Sequence, residues 1–309
     1  MKIFLTGGSG MVGSNFLEHA EAHCYEIFSP NSKELDLLDY SQVYYEMEKV
    51  MPDVVIHAAG RVGGIQANLD NPCDFLTDNI NMGFNVVGVA DKLRIPHLLN
   101  LGSSCMYPRG AKNPIPEDSI LKGELEPTNE GYALAKIAIA RLCEYISLKK
   151  PDRSYKTLIP CNLYGRHDKF DLATSHMIPA VIRKLHEAKM SQAQIVQIWG
   201  DGNARREFMY ASDLADFLYF SVKHFDELPQ YVNVGTGVDY SITEYYKAIA
   251  AVVGYQGKYE YDLSKPAGMQ KKLVDNSLLN RLGWEPKTSL AVGIENTYAF
   301  YQKRLKYEL

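Results

Sequence analysis

The chain lacks a long apolar run. Ile3-Phe4-Leu5 ends at Thr6-Gly7-Gly8, too short for the core of a signal peptide, and no later stretch approaches a membrane span. A strong charge bias is also missing. The net charge of -4 offers no general attraction for nucleic acid or an anionic membrane, so neither is expected as a partner. Cysteine is sparse: Cys24, Cys73, Cys105, Cys143 and Cys161 are scattered, odd in number and form no C-x-x-C pair. Neither a disulfide framework nor a metal site is indicated, and a reduced, cytoplasmic protein is expected. There is no Ser/Gly-rich linker, low-complexity tract or internal repeat to mark a domain boundary.

What is present is an ordinary globular composition, 46% hydrophobic and 23% charged over 309 residues, enough for a sizeable core. The first half alternates short apolar runs with helical patterns. Strands are expected at Lys2–Thr6, Glu26–Phe28, Asp53–His57, His97–Leu101 and Thr157–Pro160. Helices are expected at Met11–Ala22, Gln42–Lys49, Phe75–Leu93 and Tyr132–Ser147. Repeated strand–helix units predict an α/β fold, a doubly wound parallel (Rossmann) sheet that binds ligands beyond the carboxyl ends of its strands. After Tyr164 helices dominate, with isolated strands at Ile195–Trp199, Tyr231–Val234 and Tyr259–Tyr261. The pattern suggests a dinucleotide domain, residues 1–163 with 209–235, and a smaller, mainly α substrate region, 164–208 with 236–309.

Thr6-Gly7-Gly8-Ser9-Gly10-Met11-Val12-Gly13 follows the first strand and opens the first helix. Gly7 or Gly8 permits the tight turn, Gly10 lets backbone approach a pyrophosphate, and Gly13 packs helix on strand. The amides of Ser9, Gly10, Met11 and Val12 then face the phosphates with the positive end of the helix dipole. No acid stands at the tip of the second strand. Asn31, Ser32 and Lys33 are placed to receive a ribose 2′-phosphate, which favours NADP(H); in the alternative, Glu34 serves an NAD ribose.

Gly131-Tyr132-Ala133-Leu134-Ala135-Lys136 places Tyr132 and Lys136 four apart on one helix face. An ammonium there is expected to lower the phenol's pKa, letting Tyr132 exchange a proton with a carbonyl oxygen. Ser103, at the carboxyl end of a strand in Leu101-Gly102-Ser103-Ser104-Cys105, can hydrogen-bond the same oxygen. Cys105 lies two residues on, which in an extended segment puts it on the same side. Ordinary turn chemistry for the serines and plain burial for the cysteine are the competing readings.

These motifs, with His57-Ala58-Ala59-Gly60-Arg61-Val62-Gly63-Gly64, Glu126-Pro127-Thr128-Asn129, Asn162-Leu163-Tyr164-Gly165, Ser175-His176-Met177-Ile178-Pro179 and Arg206-Glu207-Phe208, resemble the GDP-L-fucose synthase family of extended short-chain dehydrogenases/reductases. The resemblance runs from residue 1 to about residue 300. It implies an oxidoreductase that epimerises C3 and C5 of a GDP-linked 4-keto-6-deoxy sugar and reduces C4 with NADPH. It implies Cys105 and His176 as the epimerisation acid/base pair beside Ser103, Tyr132 and Lys136. It places the nicotinamide near Leu101, Gly102, Ser104, Pro160, Cys161, Asn162, Leu163 and His176, and the GDP near Lys184, Trp199, Arg206 and Lys272. It also implies a homodimer. Departures from the family pattern are Ser9 in the glycine loop, Lys184 where the family has arginine, and Ala267 where it has an acid. A relative that only reduces C4, on a related deoxyheptose or dideoxyhexose, is the alternative, and a non-catalytic dinucleotide sensor is the reading from another class.

Overall fold

The computed structural model describes residues 1–171, 175–264 and 269–307. The departure at Ala267 lies outside them. Thirteen strands are formed. They are β1 (Lys2–Thr6), β2 (Glu26–Phe28), β3 (Val54–His57), β4 (His97–Leu101), β5 (Ser154–Pro160), β6 (Asn162–Tyr164), β7 (Ile195–Trp199), β8 (Arg205–Arg206), β9 (Phe208–Tyr210), β10 (Tyr231–Val234), β11 (Tyr240–Ser241), β12 (Lys258–Asp262) and β13 (Lys271–Lys272). The longer helices are α1 (Met11–Leu17), α2 (Tyr40–Val50), α3 (Ile65–Asp70), α4 (Pro72–Lys92), α5 (Glu130–Lys149), α6 (Met177–Met190), α7 (Ala211–Lys223), α8 (Ile242–Val253), α9 (Ser277–Arg281) and α10 (Leu290–Tyr307).

Six strands make one parallel sheet in the order β10-β5-β4-β3-β1-β2. Residues of β1, β3 and β4 are almost continuously buried, as expected of strands covered on both faces. One face packs under α1 and α7 around Phe16, Leu214 and Phe217, the other under α2 and α4 around Val43, Met47 and Val86. Each such aliphatic or aromatic side chain contributes roughly 1.5–3 kcal/mol by leaving water. The chain leaves β1 toward β2, then returns to the other side of β1 as β3. The crevice at this reversal, beyond Thr6 and His57, is where an open α/β sheet binds its ligand.

The remaining core, around Ile178, Ile182, Tyr245 and Ile249, joins α6, α8 and α10 with β7 and β12. Ser241 and Glu244 cap α8 reciprocally. β6 pairs with β9, and β8 lies between β11 and β13.

Several boundaries differ from the sequence reading. α1 stops at Leu17 rather than Ala22, because the chain tightens through His19 N to Phe16 O (3.3 Å) and Ala22 N to His19 O (3.0 Å). α2 starts two residues early because the Asp39 carboxylate accepts from Ser41 N (2.8 Å) and Gln42 N (3.1 Å). β5 begins at Ser154, and the pairing of β6 with β9 has no alternating pattern to announce it.

α1 also holds the segment that precedes α6. Asn15 Nδ2 donates to Arg166 O at 3.1 Å, and the Glu18 carboxylate meets Arg166 and His167 Nε2, the latter at 2.8 Å.

Two glycines give opposite expectations. A Cβ at Gly13 meets Gly7 O at 2.2 Å, whereas one at Gly88, inside α4, meets nothing within 4 Å. Gly13→Ala is expected to lower the unfolding free energy by about 1–3 kcal/mol. Gly88→Ala is expected to raise it by about 0.5–1 kcal/mol through helix propensity. Denaturant melts of the two variants check both signs.

Candidate active site

The crevice at the switch point opens into a cavity of about 580 Å³. At one end the glycine loop turns tightly. Gly7 has φ +78°, and a Cβ there would meet the Ala58–Ala59 backbone at 2.7–2.8 Å, so only glycine fits the close approach of β1 to β3. Gly10 caps α1, and Ser9, Gly10, Met11 and Val12 form the cavity wall. Gly8 and Gly13 lie behind it, where they let strand and helix touch. This is a cradle that side chains would fill, lined by amides and the positive end of a helix dipole, and it fits a dinucleotide diphosphate.

At the second strand's tip, Asn31 and Ser32 line the cavity, while Lys33 is exposed and off the wall. The turn is locked by Asn31 Oδ1 accepting from Lys33 N (2.9 Å) and by Glu34 Oε2 accepting from Asn31 N (2.8 Å). One carboxylate oxygen of Glu34 is thus committed to its own turn.

The other end carries the titratable groups. Lys136 is buried, and its Nζ donates to Leu101 O at 2.8 Å. It sits 5.7 Å from the centre of the Tyr132 ring. Burial pushes the ammonium down to about 8, partly opposed by the Cys105 thiol. The Tyr132 ring is steadied edge-on by Phe75 at 6.5 Å, and its hydroxyl takes no hydrogen bond from the described residues. Burial, reinforced by Cys105, pushes the phenol above its ordinary value. Burial thus works on the phenol in the direction opposite to the one expected of the neighbouring ammonium.

Ser103 lines the cavity, and its Oγ accepts from Cys105 N at 3.3 Å. Residues Ser104–Met106 form a single tight turn capped by Ser103, not the extended segment expected. The turn takes Cys105 off the wall: its side chain is buried and Ser104 is buried beside it. Burial raises the Cys105 thiol, while Lys272, Ser103 and Lys136 pull it down. His176 lines the cavity as the cap of α6, and burial, reinforced by Lys169, holds its imidazole below the ordinary value. Leu101, Gly102, Pro160, Asn162 and Leu163 complete that end.

Residues expected on the substrate side lie outside this cavity wall and fall into two sets. Lys184 Nζ donates to Gln197 O at 2.9 Å, and Trp199, at the end of the same strand, is 51% exposed. Arg206 and Lys272 face one another in the β8–β13 register, both held low by burial and both influenced by Glu126.

Sequence reasoning passed over several groups. His57 is buried under Lys136, pushed down to about 3 by burial, and its Nδ1 lies 2.8 Å from Thr6 Oγ1. Asn79 grips Arg61 through its backbone N (2.9 Å) and O (3.1 Å), fixing a loop of the wall. Cys161, by contrast, was expected at the nicotinamide end, and it lines the cavity where Cys105 does not. Motif strings contained His57 and Arg61, but no periodicity distinguishes them. Asn79 carried no signal.

The family model of the NAD dependent epimerase/dehydratase family matches residues 3–235. The chain is 54% identical over 301 residues to a GDP-L-colitose synthase of Yersinia pseudotuberculosis, covering 97% of this chain and 98% of that protein. It is 47% identical to a GDP-L-fucose synthase of Azorhizobium caulinodans, covering 97% and 96%. Among solved structures, the GDP-mannoheptose C4 reductase of Campylobacter jejuni with NADP bound superposes with a TM-score of 0.87 at 29% identity, covering 97% and 98%. On the family match and these near full-length identities, the chain belongs to the NAD dependent epimerase/dehydratase family.

Proposed function

We propose that this protein is an NADPH-dependent 3,5-epimerase/4-reductase of a GDP-linked 4-keto-6-deoxy sugar. The observation that carries the reading is that the Tyr132 phenol and the His176 imidazole open on the same cavity, burial pushing the first up and holding the second low. A 4-ketone acidifies the hydrogens on both neighbouring carbons, so one oxygen-binding pair serves inversion and reduction alike. Ser103 and Tyr132 donate hydrogen bonds to the ketone oxygen and hold the enolate charge. His176, neutral at working pH, takes the carbon-bound proton, and the protonated Cys105 thiol returns one from the other side. The bound cofactor supplies hydride to C4. Tyr132 then gives its proton to O4, and the Lys136 ammonium offsets the charge left behind.

Ser9–Val12 hold the cofactor diphosphate, Asn31 and Ser32 with Lys33 the 2′-phosphate, and Leu101–Ser104, Pro160, Asn162 and Leu163 the nicotinamide end. Lys184, Trp199, Arg206 and Lys272 hold the GDP. On this reading residues 1–163 and 209–235 carry the dinucleotide, and 164–208 with 236–309 the nucleotide sugar. The protein is placed in the cytoplasm, a compartment suited to its five free thiols. No described helix is long and apolar enough to cross a membrane. A homodimer through α4 and α5 is supported by the exposed Phe84, Leu134, Tyr145 and Leu148 on those helices.

One observation favours a second reading, a C4 reductase without epimerisation: Cys105 is off the cavity wall. Deuterium exchange from solvent at C3 and C5 without NADPH separates the two. Exchange in the wild type, lost in Cys105→Ser or His176→Gln, supports epimerisation. Its absence from the wild type leaves reduction alone.

Tyr132→Phe is expected to reduce turnover at least about a hundredfold while changing the NADPH dissociation constant less than about twofold, since phenol and cofactor phosphates sit at opposite ends. Steady-state kinetics and fluorescence titration read the two effects.

The pH profile of kcat/KM follows from two depressed bases. Lys136 is charged below about 8 and neutral above, so the rate should fall as pH rises through that region. His176 stays neutral to below the ordinary imidazole value of 6.5, so the acid limb should lie beneath it. A profile flat to pH 10 would remove Lys136 from the role given it.

A further inference from the structure

Arg206 and Lys272 sit on two-residue strands outside the central sheet. Such short strands have little pairing of their own to fix their spacing. Between them and the central sheet lies a carboxylate that forms no ion pair among the described residues, Glu207, only 1% exposed. Its Oε1 accepts from Thr236 N (2.7 Å), Gly237 N (2.8 Å) and Thr236 Oγ1 (3.3 Å), in the turn that follows β10. Its Oε2 accepts from Val274 N at 3.1 Å, two residues past Lys272. Gly235 makes room, because a Cβ there would meet Glu207 Oε1 at 2.4 Å. One side chain therefore fastens the strand bearing Lys272 to the end of β10, and its own backbone places Arg206 next door.

A buried carboxylate held by backbone donors is a costly way to join two loops unless their spacing matters. Lys271 is already paired with Asp239 at 3.1 Å, whereas among the described residues Lys272 forms no ion pair. Beside burial, Arg206 pushes the neighbouring Lys272 ammonium down, so the framework must impose the separation of the two cations. We propose that Glu207 is a positioning residue that sets the spacing of Arg206 and Lys272 for a nucleoside diphosphate. This rests on the reading of the site given above.

The test uses GDP alone as probe, read by calorimetry, with NADPH binding as the control. In Glu207→Gln the amide oxygen can keep the Thr236–Gly237 turn, but the amide N–H2 faces Val274 N–H, donor against donor. GDP affinity is expected to fall at least about tenfold, with NADPH affinity within about twofold of wild type. In a Lys272→Met background the same change should cost less than about twofold, because the spacing between Lys272 and Arg206 no longer exists to be disturbed. Glu207→Asp, too short to reach both loops, takes its place in the cycle if the glutamine variant does not fold. Equal losses of GDP and NADPH affinity, or the same loss with and without Lys272, would make Glu207 merely structural and overturn the proposal. A wild type that does not bind GDP at all overturns the reading of the site instead.

Discussion

The buried ammonium of Lys136 is the constraint around which the cavity is organised. Removing a lysine from water is expensive, and the compensation here is one short hydrogen bond to Leu101 O, the last carbonyl of β4. That bond ties α5 to the end of the central sheet. It sets Tyr132 one helical turn before Lys136, and Ser103 lies two residues beyond the carbonyl. Three groups from two elements thus meet at one point because a single charge has nowhere else to go.

Burial also decides which groups carry protons. The same low-dielectric surroundings raise the phenol of Tyr132 and the thiol of Cys105 and lower the imidazoles of His57 and His176. Burial thus favours the proton on the phenol and thiol and disfavours it on the imidazoles.

Much of the scaffold was legible. The glycine loop, the strand ends and the four-residue spacing of Tyr132 and Lys136 are local patterns, and the fold keeps them local. What escaped the sequence was set by contacts distant along the chain. Asn79 supports Arg61 across 18 residues, and Glu207 reaches Thr236 and Val274 across 29 and 67. The tight turn at Ser104–Met106, which withdraws Cys105, depends on Ser103 capping it, a choice that an apolar/polar pattern does not encode.

The proton-handling residues hang from the ends of central strands, from α5 and from the cap of α6, all anchored in the main cores. The cations of β8 and β13 belong to a three-stranded ribbon whose members are each two residues long. The two parts thus differ in how much strand pairing holds them. If the ribbon holds the nucleoside diphosphate as proposed, change in it would alter how the nucleotide end is gripped while leaving the groups at the other end of the cavity in place.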